Sequence, residues 1–279
     1  MGFTKKINQD FFLKDDRIYL SEQYLKNNIK KFKKITGSRF AAILGQSDFV
    51  SPVKAWAIMV NIYFEPMEEL FANAGNIIEP KIKDWVCQQT KINYIQYNPL
   101  EVGFDIFKDN KIFGGIPDGE PIDKYGNLLY PEAPMLEIKT SSIDSFVFKK
   151  NKNLFELVKD DNGAPKVKNK GEKRQKWFSS NNEIIIPKEY KFQLGLYCYL
   201  RNISKGIFAI CFLETNDYLY PEKCLIEKRE KVLVDFNIDL NEFKKFIDYA
   251  NEWYQSFITK GMSPKLSSDD LAWFNSEDK

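Results

Sequence analysis

The chain has 279 residues, enough to bury a full core in one elaborated domain or two, and its 41 basic and 39 acidic side chains leave a formal net charge of only +2. That balance excludes strong global steering of a polyanion, so any nucleic-acid contact must come from local basic patches. The absence of histidine excludes Ser-His-Asp and Cys-His catalysis and His-ligated zinc, leaving carboxylates, lysines, tyrosines and cysteines to do any chemistry.

In chain order, residues 1–34 are polar with scattered aromatics and end in the basic cluster Lys30-Lys31-Phe32-Lys33-Lys34. The run Thr36 to Gly45 reads as a short helix with Ser38 as N-cap and Gly45 as its stop. Ser51-Pro52 opens a second helix reaching about Phe64. A third runs from near Met67 or Asn76 to about Gln89, with a break expected around Gly75 if it starts early. Strand patterns follow at Val102–Phe107, Lys111–Pro117 and Met135–Thr140.

Residues 149–183, with Asp160-Asp161-Asn162-Gly163 and a basic run from Lys166 to Lys176, read as a long loop or insertion. Glu189–Leu200 is a predicted helix, Gly206–Glu214 and Leu225–Phe236 are predicted strands, and Leu240–Thr259 is a predicted amphipathic helix. This order predicts a mixed α/β domain whose central sheet is flanked by helices. Cys87, Cys198, Cys211 and Cys224 form no CxxC pair, which favours buried thiols in a reducing cytoplasm. No hydrophobic signal core and no membrane-spanning stretch is expected.

The chemistry concentrates in Gly114-Gly115-Ile116-Pro117-Asp118 and Glu137-Ile138-Lys139. In Met135 to Lys139, alternation puts Leu136 and Ile138 on one face and Glu137 and Lys139 on the other. The turn-rich Asp123-Lys124-Tyr125-Gly126-Asn127 folds the second strand back beside the first, so that Asp118 and Glu137 converge. Two carboxylates suit a hard cation such as Mg²⁺, and a neighbouring ammonium can orient water or offset phosphate charge. Taken singly, Asp118 in Pro117-Asp118-Gly119 matches a turn, and Glu137 and Lys139 match a solvated strand face. Glu79, three residues after Asn76, suits a capping box at a helix start as well as a third carboxylate beside the sheet. Tyr190, Gln193 and Tyr197 fall on one helical stripe, where Gln193 alone would be an ordinary half-buried polar residue.

Together these residues resemble the PD-(D/E)XK nuclease superfamily, and in particular the lambda exonuclease and YqaJ-like viral recombinase family. Ser38-Arg39-Phe40-Ala41-Ala42-Ile43-Leu44-Gly45, Gly75-x-x-x-Glu79-Pro80, Gly114-Gly115-x-x-Asp118, Glu137-Ile138-Lys139 and Tyr190-x-x-Gln193 appear in that family's order. The resemblance covers about residues 31 to 200.

It implies a restriction-endonuclease-like core and a single nuclease domain over 1–279. Residues 1–70 would be a helical part that binds DNA ends, 71–215 the catalytic core with the basic insertion, and 216–279 a C-terminal strand and helix. It further implies Mg²⁺, or Mn²⁺, held by Asp118, Glu137 and the Ile138 carbonyl, with Glu79 acting directly, through water or through a second ion. Lys139 would orient or help deprotonate the attacking water and Gln193 would position it. Tyr190 would face the DNA, and Lys31, Ser38 and Arg39 would grip a 5′-phosphate. Lys31 stands where the family has an arginine, and a lysine cannot fork onto a phosphate.

The implied activity is 5′-to-3′ digestion of linear double-stranded DNA for recombination. The implied partners are DNA ends, a single-strand annealing protein and two further copies in a homotrimer. A site- or structure-specific endonuclease with its specificity in 149–183, and a catalytically silent DNA-binding protein, are the alternatives on the same core.

Overall fold

The structure is a computed structural model, and it describes residues 2–64, 68–151 and 154–277. A hairpin of β1 (Phe11–Lys14) and β2 (Arg17–Leu20) leads into helices α1 (Glu22–Asn28), α2 (Gly37–Ile43), α3 (Pro52–Met59) and α4 (Glu69–Thr90). Next come β3 (Asn93–Ile95), the single turn α5 (Pro99–Val102), β4 (Glu120–Ile122) and β5 (Met135–Ser142). The insertion carries β6 (Ser145–Phe146), β7 (Phe148–Asn151), β8 (Leu154–Leu157), β9 (Val167–Asn169) and the turn α6 (Glu172–Gln175). The chain then forms α7 (Lys188–Leu200), β10 (Lys205–Leu213), α8 (Thr215–Leu219), β11 (Lys231–Asn237), α9 (Leu240–Trp253) and α10 (Ser268–Glu277).

The central sheet has the order β11-β10-β5, with β10 antiparallel to β11 and parallel to β5. One face is covered by α4, whose four-residue stripe of Ala74, Ile78, Ile82 and Val86 packs on Leu136, Ile138, Ile207 and Ala209. The other is covered by α7, through Leu194, Tyr197 and Cys198 against Met135, Phe208 and Ile210. A mixed sheet between helices is the architecture the element order predicts. A second core gathers β1, β2, α2, α3, α9 and α10 around Trp56, so both ends of the chain pack together. Trp273 and Phe274 are buried there, which makes the C-terminal aromatics packing residues.

Several predicted elements differ. Residues 1–34 contain a hairpin and a helix, which alternation in such short strands does not reveal. The N-cap of α2 is Thr36, with an extended backbone, and Ser38 lies inside the first turn. Gly45, at φ +65°, does end that segment. Ser51 caps α3 by accepting from the Lys54 amide, but the helix stops at Met59, and Asn61 follows at φ +61°.

Met67 lies outside the described residues, and α4 is described from Glu69, unbroken past Gly75. Asn76 and Glu79 therefore sit mid-helix and form no capping box. Pro80 is inside the helix, where it leaves the Asn76 carbonyl without its usual amide donor.

Neither Val102–Phe107 nor Lys111–Pro117 is a strand. Gly103, Phe104 and Gly115 all have positive φ, which breaks the extended run. Instead the Asp105 carboxylate accepts from the amides of Phe107 (2.9 Å) and Gly115 (3.0 Å), folding the segment into a closed loop. The insertion is more ordered than its composition predicts, with Trp177 buried in the core beneath α7, although Lys152 and Asn153 lie outside the described residues. The predicted strand Leu225–Phe236 begins only at Lys231, after two 3₁₀ turns.

Candidate active site

The expected return of the chain beside β5 occurs. Asp123 accepts from the amides of Tyr125 and Asn127, closing a turn, and Gly119 pairs antiparallel with Leu136. This places Asp118 against β5, where its Oδ2 accepts from the Ile138 amide at 2.7 Å. The N–H and C=O of one strand residue point to the same side, so the Ile138 carbonyl faces the Asp118 edge too. Burial pushes the Asp118 carboxyl up, against the opposing pull of Lys139 and the Ile138 amide.

Alternation along β5 turns Glu137 and Lys139 toward α7 while Leu136 and Ile138 enter the α4 core. Neither is on a solvated strand face. Glu137 is completely buried, and its Oε1 accepts from Lys139 Nζ at 2.6 Å. Its Oε2 is buried without a hydrogen-bond partner among the described residues. Burial, with the charge of Asp118 adding to it, pushes the Glu137 carboxyl up to about 8. Glu79 approaches from α4, and burial followed by the Asp118 charge raises its carboxyl to about 7. Burial works to lower Lys139, but the carboxylates of Glu137 and Asp118 outweigh it and hold the ammonium charged.

Lys139 is the hub of the site. Its Nζ also donates to Gln193 Oε1 at 3.3 Å and lies 4.8 Å from the centre of the Tyr190 ring. Gln193 and Tyr190 reach it from the same stripe of α7, as their spacing predicts. The helix is held close by α2: a Cβ at Gly37 would stand 2.6 Å from Gln193 Cγ. The sequence-predicted Asp118, Glu137, Lys139, Gln193, Tyr190 and Glu79 are thus brought to one place.

A divalent cation fits this donor set. The orphaned Glu137 oxygen and three carboxyls raised first by burial, with the Asp118 charge adding to the rise of Glu79 and Glu137, describe a site short of positive charge. All available donors are hard oxygens, which suits Mg²⁺ or Mn²⁺. Among the described residues no three His, Cys, Asp or Glu side chains form a metal-holding group by themselves. Asp118, Glu137 and the Ile138 carbonyl would be the ligands, with Glu79 behind them.

Beyond Tyr197 lies a second cavity, lined by Lys33, Lys34, Thr36, Ser38 and Arg39. Arg39 Nη1 donates to Thr36 Oγ1 at 2.9 Å, and that hydroxyl lies 3.1 Å from Ser38 Oγ. Burial lowers both Arg39 and Lys33, and the Arg39 charge lowers Lys33 further. Lys34 is instead engaged with Asp105 at 2.6 Å. Gly115, at φ +126°, lets the chain pass Tyr197, since a Cβ there would be 2.5 Å from its hydroxyl. Lys31 is exposed in a 3₁₀ turn and does not line this cavity. Lys33 lines it instead. The basic cluster marked the region, but which lysine turns inward depends on the packing of Phe32 and Ile35 into the core.

A model of the YqaJ-like viral recombinase domain matches residues 28–200, more than half of the chain. The chain belongs to that family. The family expected from the five motifs is therefore the right one, and this YqaJ-like chain is a member of a nuclease family. It is 49% identical over 274 residues to Uncharacterized protein MG373 of Mycoplasma genitalium, covering 98% of each chain. It is 47% identical over 274 residues, with the same coverage, to the MG373 homolog of Mycoplasma pneumoniae. Among solved structures, it is similar to an alkaline exonuclease from Laribacter hongkongensis, with a TM-score of 0.45, 10% identity and coverage of 85% of this chain and 92% of the other. It is also similar to a phage related exonuclease from Haemophilus somnus, with a TM-score of 0.49, 13% identity and coverage of 84% and 96%. Among the described residues of this YqaJ-like chain, no helix is long and apolar enough to cross a membrane.

Proposed function

We propose that the protein is a Mg²⁺-dependent deoxyribonuclease that digests linear double-stranded DNA from its 5′ ends, leaving single-stranded tails for recombination. The observation that carries this reading is the fully buried Glu137 beside Asp118, one oxygen on Lys139 and the other without a partner among the described residues. A buried carboxylate is tolerated only when paired, bound to a cation or protonated, and Lys139 satisfies half of it. Family membership supports DNA as the substrate.

In this reading Asp118, Glu137 and the Ile138 carbonyl hold the ion, and Glu79 holds it directly, through water or through a second ion. The bound ion supplies Lewis acidity and offsets charge growing on the phosphate. Lys139, charged and clamped between Glu137 and Gln193, acts as an electrostatic and orienting group for the attacking water. While it holds its proton it cannot be the base. Gln193 fixes the Lys139 ammonium and presents its amide beside it. Tyr190 closes the site from the side of the substrate. Lys33, Ser38 and Arg39 receive the terminal phosphate in the basic cavity, which supports a preference for ends.

The test is incubation of linear and covalently closed duplex DNA with Mg²⁺, following release of acid-soluble mononucleotides from 5′- or 3′-labelled ends. Early release of 5′ label from linear DNA, and none from closed circles, is the expected result. Nicking of closed circles without mononucleotide release would instead identify an endonuclease on the same core.

A further inference from the structure

A charge network that the proposed chemistry does not use has partners beside both the carboxylate centre and the basic cavity. Glu120, two residues after Asp118, is completely buried on β4. Its Oε1 accepts from Arg201 Nε at 2.6 Å and from the Tyr130 hydroxyl at 3.2 Å. Its Oε2 accepts from Arg201 Nη2 at 2.7 Å and from the Tyr97 hydroxyl at 2.6 Å. Each oxygen has two donors, and the half-buried guanidinium grips the carboxylate as a two-bond fork.

The partners belong to different parts of the machinery. Arg201 directly follows α7, the helix that presents Tyr190, Gln193 and Tyr197. Its guanidinium lies 4.9 Å from the centre of the Phe107 ring, and Phe107 stacks on Tyr197 with planes 10° apart. The Phe107 carbonyl accepts from Lys34 Nζ at 3.1 Å, and Lys34 and Tyr197 both line the basic cavity. Tyr97 lines a separate hollow, together with Glu79, Pro117 and Asp118.

A buried ion pair adds little net stability, because desolvation offsets most of the attraction, and apolar side chains in its place are often as stable. What the fork supplies beyond an apolar contact is direction. It fixes the plane of the carboxylate against the guanidinium, and with it the two chain segments that carry them. Those segments are the one bearing Asp118 and the one bearing Gln193 and Tyr197.

Resting on the nuclease reading above, we infer that Glu120 and Arg201 are positioning residues that set the span between the basic cavity and the carboxylate centre, and so the length of the piece cut from a DNA end. With the terminal phosphate seated in the cavity and the span fixed, one phosphodiester meets the ion. A misplacement of about 1 Å is enough to cost a step heavily. When the span no longer fits, the strand engages the ion without its terminal phosphate seated, and the end ceases to dictate where the cut falls.

The test replaces the whole network, Glu120→Leu, Arg201→Met, Tyr97→Phe and Tyr130→Phe, so that no buried charge or hydroxyl is left unpaired. The quadruple variant is expected to melt near the wild-type temperature and to keep its stabilisation by Ca²⁺. Its kcat on linear duplex should fall about tenfold or more with KM little changed, and its products should spread from mononucleotides to longer fragments. Mononucleotides alone from the folded variant would overturn the inference. So would a loss of Ca²⁺ stabilisation in step with kcat, which would make the network a prop for the metal ligands. Tyr97→Phe alone removes one hydrogen bond and no charge, and should shift the product lengths the same way by less. If the quadruple variant does not fold, unshifted products from Tyr97→Phe overturn the inference.

A binding measurement separates this inference from the nuclease reading. The gain in affinity of a blunt duplex from a 5′-phosphate over a 5′-hydroxyl is read with and without Ca²⁺. In the wild type the gain should be about tenfold larger with Ca²⁺, because a fixed span lets both phosphates be held at once. In the quadruple variant it should be the same in both conditions. If this coupling is present in the wild type and lost in the variant, yet no nucleotides are released from DNA, the nuclease reading fails and the clamp stands. Mononucleotide release by both proteins with the coupling unchanged gives the reverse.

Discussion

The two faces of β5 are both buried, yet they are built from opposite chemistry. Toward α4, Leu136 and Ile138 meet a stripe of Ala, Ile and Val and need nothing else. Toward α7, Glu137 is equally deep and Lys139 is half-buried, but both carry charge, and they are tolerable only because each has a partner. One oxygen of Glu137 lacks even that. The difference separates what a buried residue does for the fold from what it does for the site. The apolar face is optimised for packing, whereas the charged face is left unfinished, and an unfinished buried carboxylate is where a cation and a phosphate can enter.

The strongest way to break this comparison is to show that the charged face also serves only the fold. Asp118→Ala, Glu137→Ala and Lys139→Ala are each expected to lower DNA cleavage by about 10²-fold or more, the scale of losing a key electrostatic group. Far-ultraviolet circular dichroism should remain that of the wild type. A folded Asp118→Ala protein that cuts at the wild-type rate would remove Asp118 from the site.

A sharper contrast comes from pairing Ile138→Val with Glu137→Gln. The first deletes a methylene from the apolar face and should cost about 0.5–1.5 kcal/mol of stability in urea unfolding, with the rate of the folded enzyme retained. The second keeps shape but removes the charge that burial opposes. It should abolish cleavage and, because the glutamine oxygen can still accept from Lys139, cost the metal-free protein no more stability at pH 8 than Ile138→Val does. If Glu137→Gln destabilises more than Ile138→Val, the carboxylate is a structural ion pair and the two faces do the same work.

The unfinished face also predicts how stability follows pH. In the unfolded chain these carboxyls ionise near 4 to 4.5, whereas folding raises Glu79 to about 7 and Glu137 to about 8. Between those limits the folded state binds more protons than the unfolded state. The metal-free protein should therefore lose stability as pH rises from about 4.5 to about 8. A divalent cation replaces those protons, so stabilisation by Ca²⁺ should be small at pH 5.5 and grow through pH 8. Thermal melts at three pH values with and without Ca²⁺ read this directly. A Ca²⁺ shift independent of pH would mean that the ion binds elsewhere.

How much of this was legible in the sequence depends on whether a local pattern decides the outcome. The β5 faces were readable because alternation alone sets them, and so was the α7 stripe, because helical spacing alone sets it. The loop from Gly103 to Gly115 was not. Its strand-like composition is overruled by the Asp105 carboxylate, which is held in turn by Lys34 from a distant part of the chain. The capping-box reading of Glu79 failed for the same reason, while its reading as a third carboxylate did not. Asn76 and Pro80 look like a helix start, but the stripe from Ala74 to Val86 packs on the sheet and carries the helix through both.

The basic cavity gives a smaller effect that tests which lysine receives the phosphate, Lys31 as the resemblance implies or Lys33 as the cavity lining suggests. Lys33→Ala and Arg39→Ala should narrow the preference for 5′-phosphorylated over 5′-hydroxyl ends, and Lys31→Ala should leave it near the wild type. The reverse order would restore Lys31 as the phosphate ligand and make Lys33 a solvated neighbour.

The smallest effect is expected from the basic stretch between β5 and α7, because its charges are not equally free. Arg174 is paired with Glu230 and Lys176 with Glu172. Lys166, Lys168, Lys170 and Lys173 are exposed, with Lys166 and Lys168 flanking the inward-packed Val167 on β9. Strand alternation puts those two on the outer face together, and only charges turned outward can exchange counterions with DNA. Replacing these four lysines with glutamine should flatten the dependence of binding on salt by about 0.7–0.9 in logarithmic slope for each phosphate no longer neutralised. The carboxylate centre is untouched, so cleavage at saturating DNA should hold. Replacing Arg174 instead should change the slope less, since its charge is already answered within the fold by Glu230. An unchanged slope in the four-lysine variant would show that the stretch only solvates the insertion, and would confine DNA binding to the faces of β5, α7 and the two cavities beside them.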